Sequence, residues 1–184
     1  MRRLLIIIFF LAAVLMQYST LAQDSECINV QFQIPEVALV DIEPGSNSTV
    51  RFNVQPAHES GQPPSVISAN QSLWINYTSA QRGKHARNIY AQITSGHVPQ
   101  GLKLAVSVSD YQGSGNGRRL GRGQGRIVLT NYPRRIISGI KNCYTGDGTY
   151  NGHKLVFSLE IKDYAKISSN NGNHFVVTYT LSDN

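Results

Sequence analysis

The chain has 184 residues, of which 41% are hydrophobic and 15% are charged, so it is long enough to form one domain with a real core. Its formal net charge is +6, a mildly basic balance that does not by itself call for a nucleic-acid partner. The aromatic content is 9%, and no catalytic signature stands out. Composition therefore favours a globular domain and gives no support for an enzyme.

The first 22 residues have the composition of a secretory signal peptide. Arg2 and Arg3 precede an apolar run over residues 4–16, and the small residues before position 23 suit cleavage after Ala22. The run is too short to cross a bilayer as a helix, which needs about 20 residues. We expect residues 1–22 to be removed, although an uncleaved anchor is the alternative. The mature chain, residues 23–184, would be one domain that is secreted, periplasmic or on the cell surface, without a membrane span and with a net charge of +4.

Alternating apolar residues predict strands from residue 27 onward. In residues 27–34 one face carries Ile28, Val30, Phe32 and Ile34, and this predicted first strand ends at Pro35. In residues 174–181 one face carries Phe175, Val177, Tyr179 and Leu181. Both segments therefore have the pattern of half-buried strands.

Further alternating runs bring the expected total to about nine strands, with almost no helix. Turn signals rich in Gly, Pro and Asn separate these runs, and residues 56–71 have the composition of a long loop. This spacing predicts an all-β fold, with an immunoglobulin-like two-sheet sandwich as first choice and a jelly roll as second.

The two cysteines, Cys27 and Cys143, are expected to form a disulfide after export, because an even count in an oxidising compartment favours pairing. The closed loop would exceed a hundred residues, for which chain entropy gives about 4–5 kcal/mol of stabilisation. Two free buried thiols are the alternative.

Residues 113–126 combine six glycines with four arginines. A phosphate-binding loop would need a helix after it, and here a strand pattern follows instead. We expect a flexible, solvated hairpin. The alternative is a surface patch in which Arg118, Arg119 and Arg122 contact an anion or an anionic glycan; nucleic acid is disfavoured in an exported protein.

Trp74 and Tyr77 could stack on sugar rings, but they have opposite parity on one predicted strand. We expect Tyr77 in the core and Trp74 partly exposed, where it could contact a glycan. Residues 145–152 look like part of a calcium loop but lack the repeated carboxylates that such a loop needs. The five histidines are scattered without ligand spacing, so neither a metal nor a cofactor is expected.

Taken together, these features resemble the bacterial chaperone/usher fimbrial subunits: a signal peptide, an alternating apolar first segment, two cysteines, and a final run Val177-Thr178-Tyr179-Thr180-Leu181. The resemblance implies an incomplete immunoglobulin-like sandwich, completed by a strand from a periplasmic chaperone and then from another subunit. Residues 28–34 would either be donated to a groove beside the last strand or remain the first strand of their own closed sandwich.

The sequence thus predicts an exported, non-enzymatic protein with a structural or adhesive role at the cell surface. Its partners would be other copies or related subunits, a periplasmic chaperone and a surface glycan. A secreted carbohydrate-binding module is the alternative function.

Overall fold

A computed structural model of the chain describes residues 3, 6, 27–45, 48–68, 72–168 and 172–183. The chain divides into two compact units, Met1–Ile34 and Pro35–Asn184. The predicted signal peptide, apart from Arg3 and Ile6, and the predicted cleavage site after Ala22 lie outside the described residues. None of the helices in the described part has the length and apolar content that a membrane crossing requires.

The second unit is all-β, as the alternating pattern predicts. Its strands are β1 (Val37–Glu43), β2 (Phe52–Gln55), β3 (Ser65–Ser68), β4 (Leu73–Ala80), β5 (Arg87–Ser95), β6 (Leu102–Gln112), β7 (Asn116–Gly117), β8 (Leu120–Gly123), β9 (Gly125–Val128), β10 (Arg134–Ile140), β11 (Cys143–Tyr144), β12 (Gly152–Ile161) and β13 (Val176–Asp183). From residue 27 onward, the described residues contain a 3-10 turn at Tyr164–Lys166 and no α-helix.

The strands form two main antiparallel sheets and a small hairpin. In the first sheet β4 pairs with β1 on one side and with β11 and β12 on the other, and β12 continues to β6 and β9. The second sheet has the order β13, β5, β10, β8, and β2 pairs with β3 alone. One hydrophobic core draws on both main sheets, including Ile75, Leu104 and Leu155 from the first and Ile89 and Ile137 from the second. This arrangement is consistent with a β-sandwich.

The described residues contain thirteen strands, more than the nine or so that the sequence predicts. Five observed strands lie in segments with turn-like composition: β3 is inside the predicted loop 56–71, β7 and β8 lie among glycines, and β10 and β11 lie in the turn-rich residues 133–152. Turn-like composition therefore hid four strands of two to four residues and one strand, β10, of seven residues.

The prediction of a flexible hairpin at residues 113–126 is wrong. The segment forms β7, β8 and the start of β9, and several of its glycines lie directly against neighbouring backbone. A Cβ at Gly115 would overlap the Tyr144 carbonyl oxygen, and one at Gly123 would overlap the Ser109 carbonyl oxygen. The glycines thus permit close packing of strands that any side chain would hold apart.

The prediction of a first strand at residues 27–34 is also wrong. The structure has these residues outside any strand, and the four apolar side chains are highly exposed: Ile28 84%, Val30 80%, Phe32 84% and Ile34 69%. Alternation identifies a segment that can bury one face, but it does not identify the sheet edge that receives that face.

Candidate functional site

An open groove lies between the edges of the two main sheets. Among the described strands, β1 pairs only with β4 and β13 pairs only with β5, so each has a free backbone edge. The groove has a volume of about 370 Å³ and is lined by Val40, Asp41, Ile42, Gly45, Ser48, Val177, Thr178 and Tyr179. The sandwich is therefore open along one side.

The β13 wall of the groove follows the alternation predicted for residues 174–181. Phe175, Val177, Tyr179 and Leu181 point inward, pack against the core and are half-buried. Burial raises the pKa of the Tyr179 hydroxyl, so this group stays neutral and the wall stays uncharged. Thr178 faces outward, where its hydroxyl lies 2.7 Å from that of Thr94.

The β13 edge has little of the usual protection against further pairing: its one irregularity is a register shift between Val176 and Val177, at the start of the strand. Edge strands are commonly blocked by proline, lysine, a bulge or short length. β13 is eight residues long and contains no proline, lysine or arginine. Its unpaired N–H and C=O groups can therefore accept another strand.

The β1 wall presents a second apolar surface. Val40 and Ile42 are half-buried and pack against the core, whereas Leu39 is 64% exposed. The first unit carries the complementary feature, the segment 28–34 with four exposed apolar side chains on alternate residues. The molecule thus contains both a groove with apolar side chains on each wall and an apolar segment of strand-like pattern.

Arg87 at the start of β5 joins the two edges at one end of the groove. The side chain is only 4% exposed. Its Nη2 bonds Glu36 Oε1 at 2.8 Å, its Nη1 donates to the Val37 carbonyl oxygen at 2.5 Å, and its Nε bonds Asp183 Oδ1 at 2.7 Å. Arg87 therefore ties the beginning of β1 to the end of β13.

The sequence analysis does not predict this role of Arg87. Arg87 has the same parity as Ile89, Ala91 and Ile93, all of which point into the core. A cation on the apolar face of a strand needs hydrogen-bonding partners inside the protein. The position of Arg87 on the apolar face of the predicted strand was therefore the sequence feature that could have indicated its role.

The prediction that Trp74 is partly exposed is wrong. Trp74 is 4% exposed, and its ring packs on Tyr150, with centroids 5.6 Å apart. The loop between β11 and β12 brings Tyr150 there, with a bond from the Asn76 side-chain amide to the Gly148 carbonyl oxygen at 3.0 Å. A buried ring cannot serve as a sugar platform, so Trp74 has a packing role; Tyr77, as predicted, is in the core.

Arg118, Arg119 and Arg122 are exposed, whereas Trp74 is buried. Arg122 lies on β8 at the edge of the second sheet, whereas Trp74 lies on β4 of the first. The structure therefore separates the residues that the sequence grouped as glycan or anion contacts.

Both cysteines are free thiols in the structure. Cys27 is exposed, and Cys143 is 6% exposed on β11. Burial raises the pKa of the Cys143 thiol to about 11, so it stays protonated and unreactive near neutral pH. The Cys27–Cys143 disulfide stays a prediction.

A buried polar cluster surrounds His153, which has no exposed surface. Its Nδ1 lies 2.8 Å from the Ser109 carbonyl oxygen and must donate, because a carbonyl only accepts. Its Nε2 lies 2.9 Å from the Tyr77 hydroxyl, whose single proton faces both this nitrogen and the Leu120 carbonyl oxygen. These bonds link the interior of both sheets and leave no access for a substrate.

Burial lowers the pKa of His153 below its ordinary value of 6.5, against raising contributions from the two carbonyls and Asp110. Below pH 6.5 the unfolded chain takes up a proton at this site and the folded chain does not. We expect stability to fall as the pH drops through this range, by up to about 1.4 kcal/mol per pH unit from this group.

This expectation is tested by urea unfolding between pH 8 and pH 5 with the His153→Gln variant. In this variant the free energy of unfolding should depend less steeply on pH, because the contribution of His153 is gone. This holds whatever the absolute stability of the variant. The exposed His97→Gln variant is the control and should keep the slope. An unchanged slope in His153→Gln would contradict a buried neutral histidine.

Among the described residues, no group of three or more His, Cys, Asp or Glu side chains could hold a metal. No protein-family model, curated protein or solved structure matches the chain. Its function must therefore be inferred from the geometry of the molecule itself.

Proposed function

We propose that this protein is an exported, non-enzymatic surface subunit that assembles by strand donation. Residues 28–34 of one copy would occupy the groove between β1 and β13 of another and complete an immunoglobulin-like sandwich. The observation that carries the proposal is that one chain has both an exposed alternating segment and an open groove with apolar side chains on each wall, Val40 and Ile42 on β1 and Val177 and Tyr179 on β13.

Side-chain burial supplies the driving force. Ile28, Val30, Phe32 and Ile34 expose between 69% and 84% of their surface, and full burial of such a side chain is worth about 1.5–3 kcal/mol. The groove offers Val40, Ile42, Val177 and Tyr179 as apolar neighbours, which are themselves only half-buried. Donation would bury both surfaces together.

Backbone pairing supplies the alignment. An inserted strand would meet the free edge of β13, which is long enough for the segment and has no blocking residue. The partners of Arg87 place the start of β1 beside the end of β13, so the two walls run in opposite directions. A donated strand would be parallel to one wall and antiparallel to the other.

The short link to β1 favours donation to another copy. Only Pro35 and Glu36 separate the segment from Val37. Entry into the groove of the same copy would require the chain to reverse within these two residues. Two-residue hairpin turns need positive φ in one or both central residues, and proline fixes φ near −65°.

The proposal includes export to the periplasm and cell surface, with residues 1–22 as the signal and a chaperone that shields the groove before assembly. Residues 28–34 and the free β13 edge would otherwise aggregate without control. The burial of Trp74 removes the main support for a carbohydrate-binding module built on that residue.

The test is the molar mass of the chain starting at Gln23, measured by light scattering on a sizing column over a concentration series. We expect the full chain to form multimers and a chain lacking residues 23–34 to remain a folded monomer. A full chain that stays monomeric at every concentration would contradict the proposal. So would a truncated chain that still assembles.

A further inference from the structure

The outer face of the second sheet carries a row of basic side chains that strand donation does not use. Ile89 and Ala91 point into the core, so Tyr90 between them faces outward, and Arg135 is its cross-strand partner on β10. Arg122 on β8 is exposed and lies opposite Ser138 on β10. These residues therefore share the solvent face of the sheet.

Arg119 extends this row past the end of β8. A Cβ built on Gly139 would lie 3.7 Å from the Arg119 guanidinium, so that group lies over Gly139. Along β10, Arg135 is followed by Ser138, which lies opposite Arg122, and by Gly139, which lies under Arg119. Three to four residues of strand separate these positions from Arg135, a distance of about 10–13 Å. Arg135, Arg122 and Arg119 thus form a line of three guanidinium groups beside Tyr90.

The described strands of this sheet supply little negative charge to its outer face. The strands β5, β8, β10 and β13 contain one acidic residue, Asp183, and it is bound to Arg87. None of the three arginines of the row belongs to an ion pair among the described residues. The first sheet differs, because its exposed Arg126 pairs with Glu160.

Uncharged polar side chains fill the space around the arginines. The Gln124 side-chain amide donates to Ser138 Oγ at 2.8 Å, and Thr178 and Thr180 of β13 are exposed on the far side of β5. Amides and hydroxyls suit sugar hydroxyls, whereas guanidinium groups bind carboxylates through two parallel bonds. A tyrosine in the centre offers a ring for stacking.

From this combination we propose that the outer face of the second sheet, at Tyr90, Arg119, Arg122 and Arg135, binds an acidic polysaccharide. A flat face suits an extended polymer rather than a small ligand. Single-stranded nucleic acid would call for several aromatic platforms, and the row has one. A lipid surface would call for exposed apolar side chains among the arginines, whereas the residues opposite Arg135 and Arg122 are Tyr90 and Ser138, which both carry hydroxyls.

The test is binding of the full chain from Gln23 to immobilised polygalacturonate. The triple variant Arg119→Gln, Arg122→Gln, Arg135→Gln should bind at least about tenfold more weakly, as expected for the loss of charge-assisted bonds. The matched control, Lys103→Gln, Lys154→Gln, Lys162→Gln, removes the same charge from the first sheet and its border. It should bind within about threefold of the parent chain, because only screened long-range attraction changes.

Tyr90→Ala supplies a readout that net charge does not move. We expect this variant to bind polygalacturonate more weakly than the parent chain does. Its binding to a DNA oligonucleotide or to phosphatidylglycerol vesicles should equal that of the parent chain. The parent chain should bind both of these probes more weakly than it binds polygalacturonate. Equal losses in the two triple variants would overturn the proposal in favour of unspecific charge. DNA or vesicles bound as tightly as polygalacturonate would overturn the choice of ligand. All variants are compared at one oligomeric state, so a failure here is distinct from a failure of strand donation.

Discussion

A chain in which Ile28, Val30, Phe32 and Ile34 are all replaced by serine is expected to remain monomeric where the parent chain assembles. These four side chains are exposed and lie on one face of the segment. Each replacement removes an apolar contribution of about 1.5–3 kcal/mol from the donated strand. The folded domain itself should keep its stability, because the described strands do not include the segment.

The matched control replaces the alternate residues, Asn29, Gln31 and Gln33, by serine. It changes the same backbone segment and leaves the apolar face intact, so assembly should persist. Light scattering at equal concentrations compares the two variants. If both assemble, or if neither does, the face-specific account of donation is contradicted.

Arg87→Met is expected to lower the free energy of unfolding by about 2–4 kcal/mol. The guanidinium is buried and bonds to two carboxylates and a carbonyl, and a hydrogen bond to a charged group is worth about 1.5–3 kcal/mol. Glu36 and Asp183 are 48% and 66% exposed, so water re-solvates them and limits the loss. Methionine keeps much of the apolar volume of the arginine stem.

The control is Arg126→Met, which breaks the exposed pair with Glu160. That pair has side chains 44% and 49% exposed, and surface pairs are typically worth at most about 1 kcal/mol. Chemical denaturation of both variants in the truncated, monomeric background separates folding from assembly. Equal losses in the two variants would contradict a special role for Arg87 at the groove.

Local alternation was enough to predict the all-β class and the inward face of β13. Phe175, Val177, Tyr179 and Leu181 pack on the core as expected, because a period of two depends only on strand geometry. The same pattern misled at residues 27–34, since alternation does not specify a partner edge. An exposed donor and an internal edge strand have the same sequence signature.

The rest of the site depends on contacts between distant residues. Arg87 finds Glu36 and Val37 about fifty positions earlier and Asp183 at the far end of β13. Trp74 is buried because Tyr150, on a loop far along the chain, packs on its ring. Such partners are set by sheet order, which periodicity does not determine.

The most direct measurement of strand donation places a photoreactive p-benzoylphenylalanine at Phe32 in the assembled protein. Copies labelled with ¹⁵N are mixed with unlabelled copies before assembly, so that mass spectrometry distinguishes links between copies from links within one. The account predicts mixed-isotope links from position 32 to the groove walls, at residues 40–42 of β1 and 177–179 of β13. Links confined to single copies, or links between copies that fall outside these walls, would contradict it.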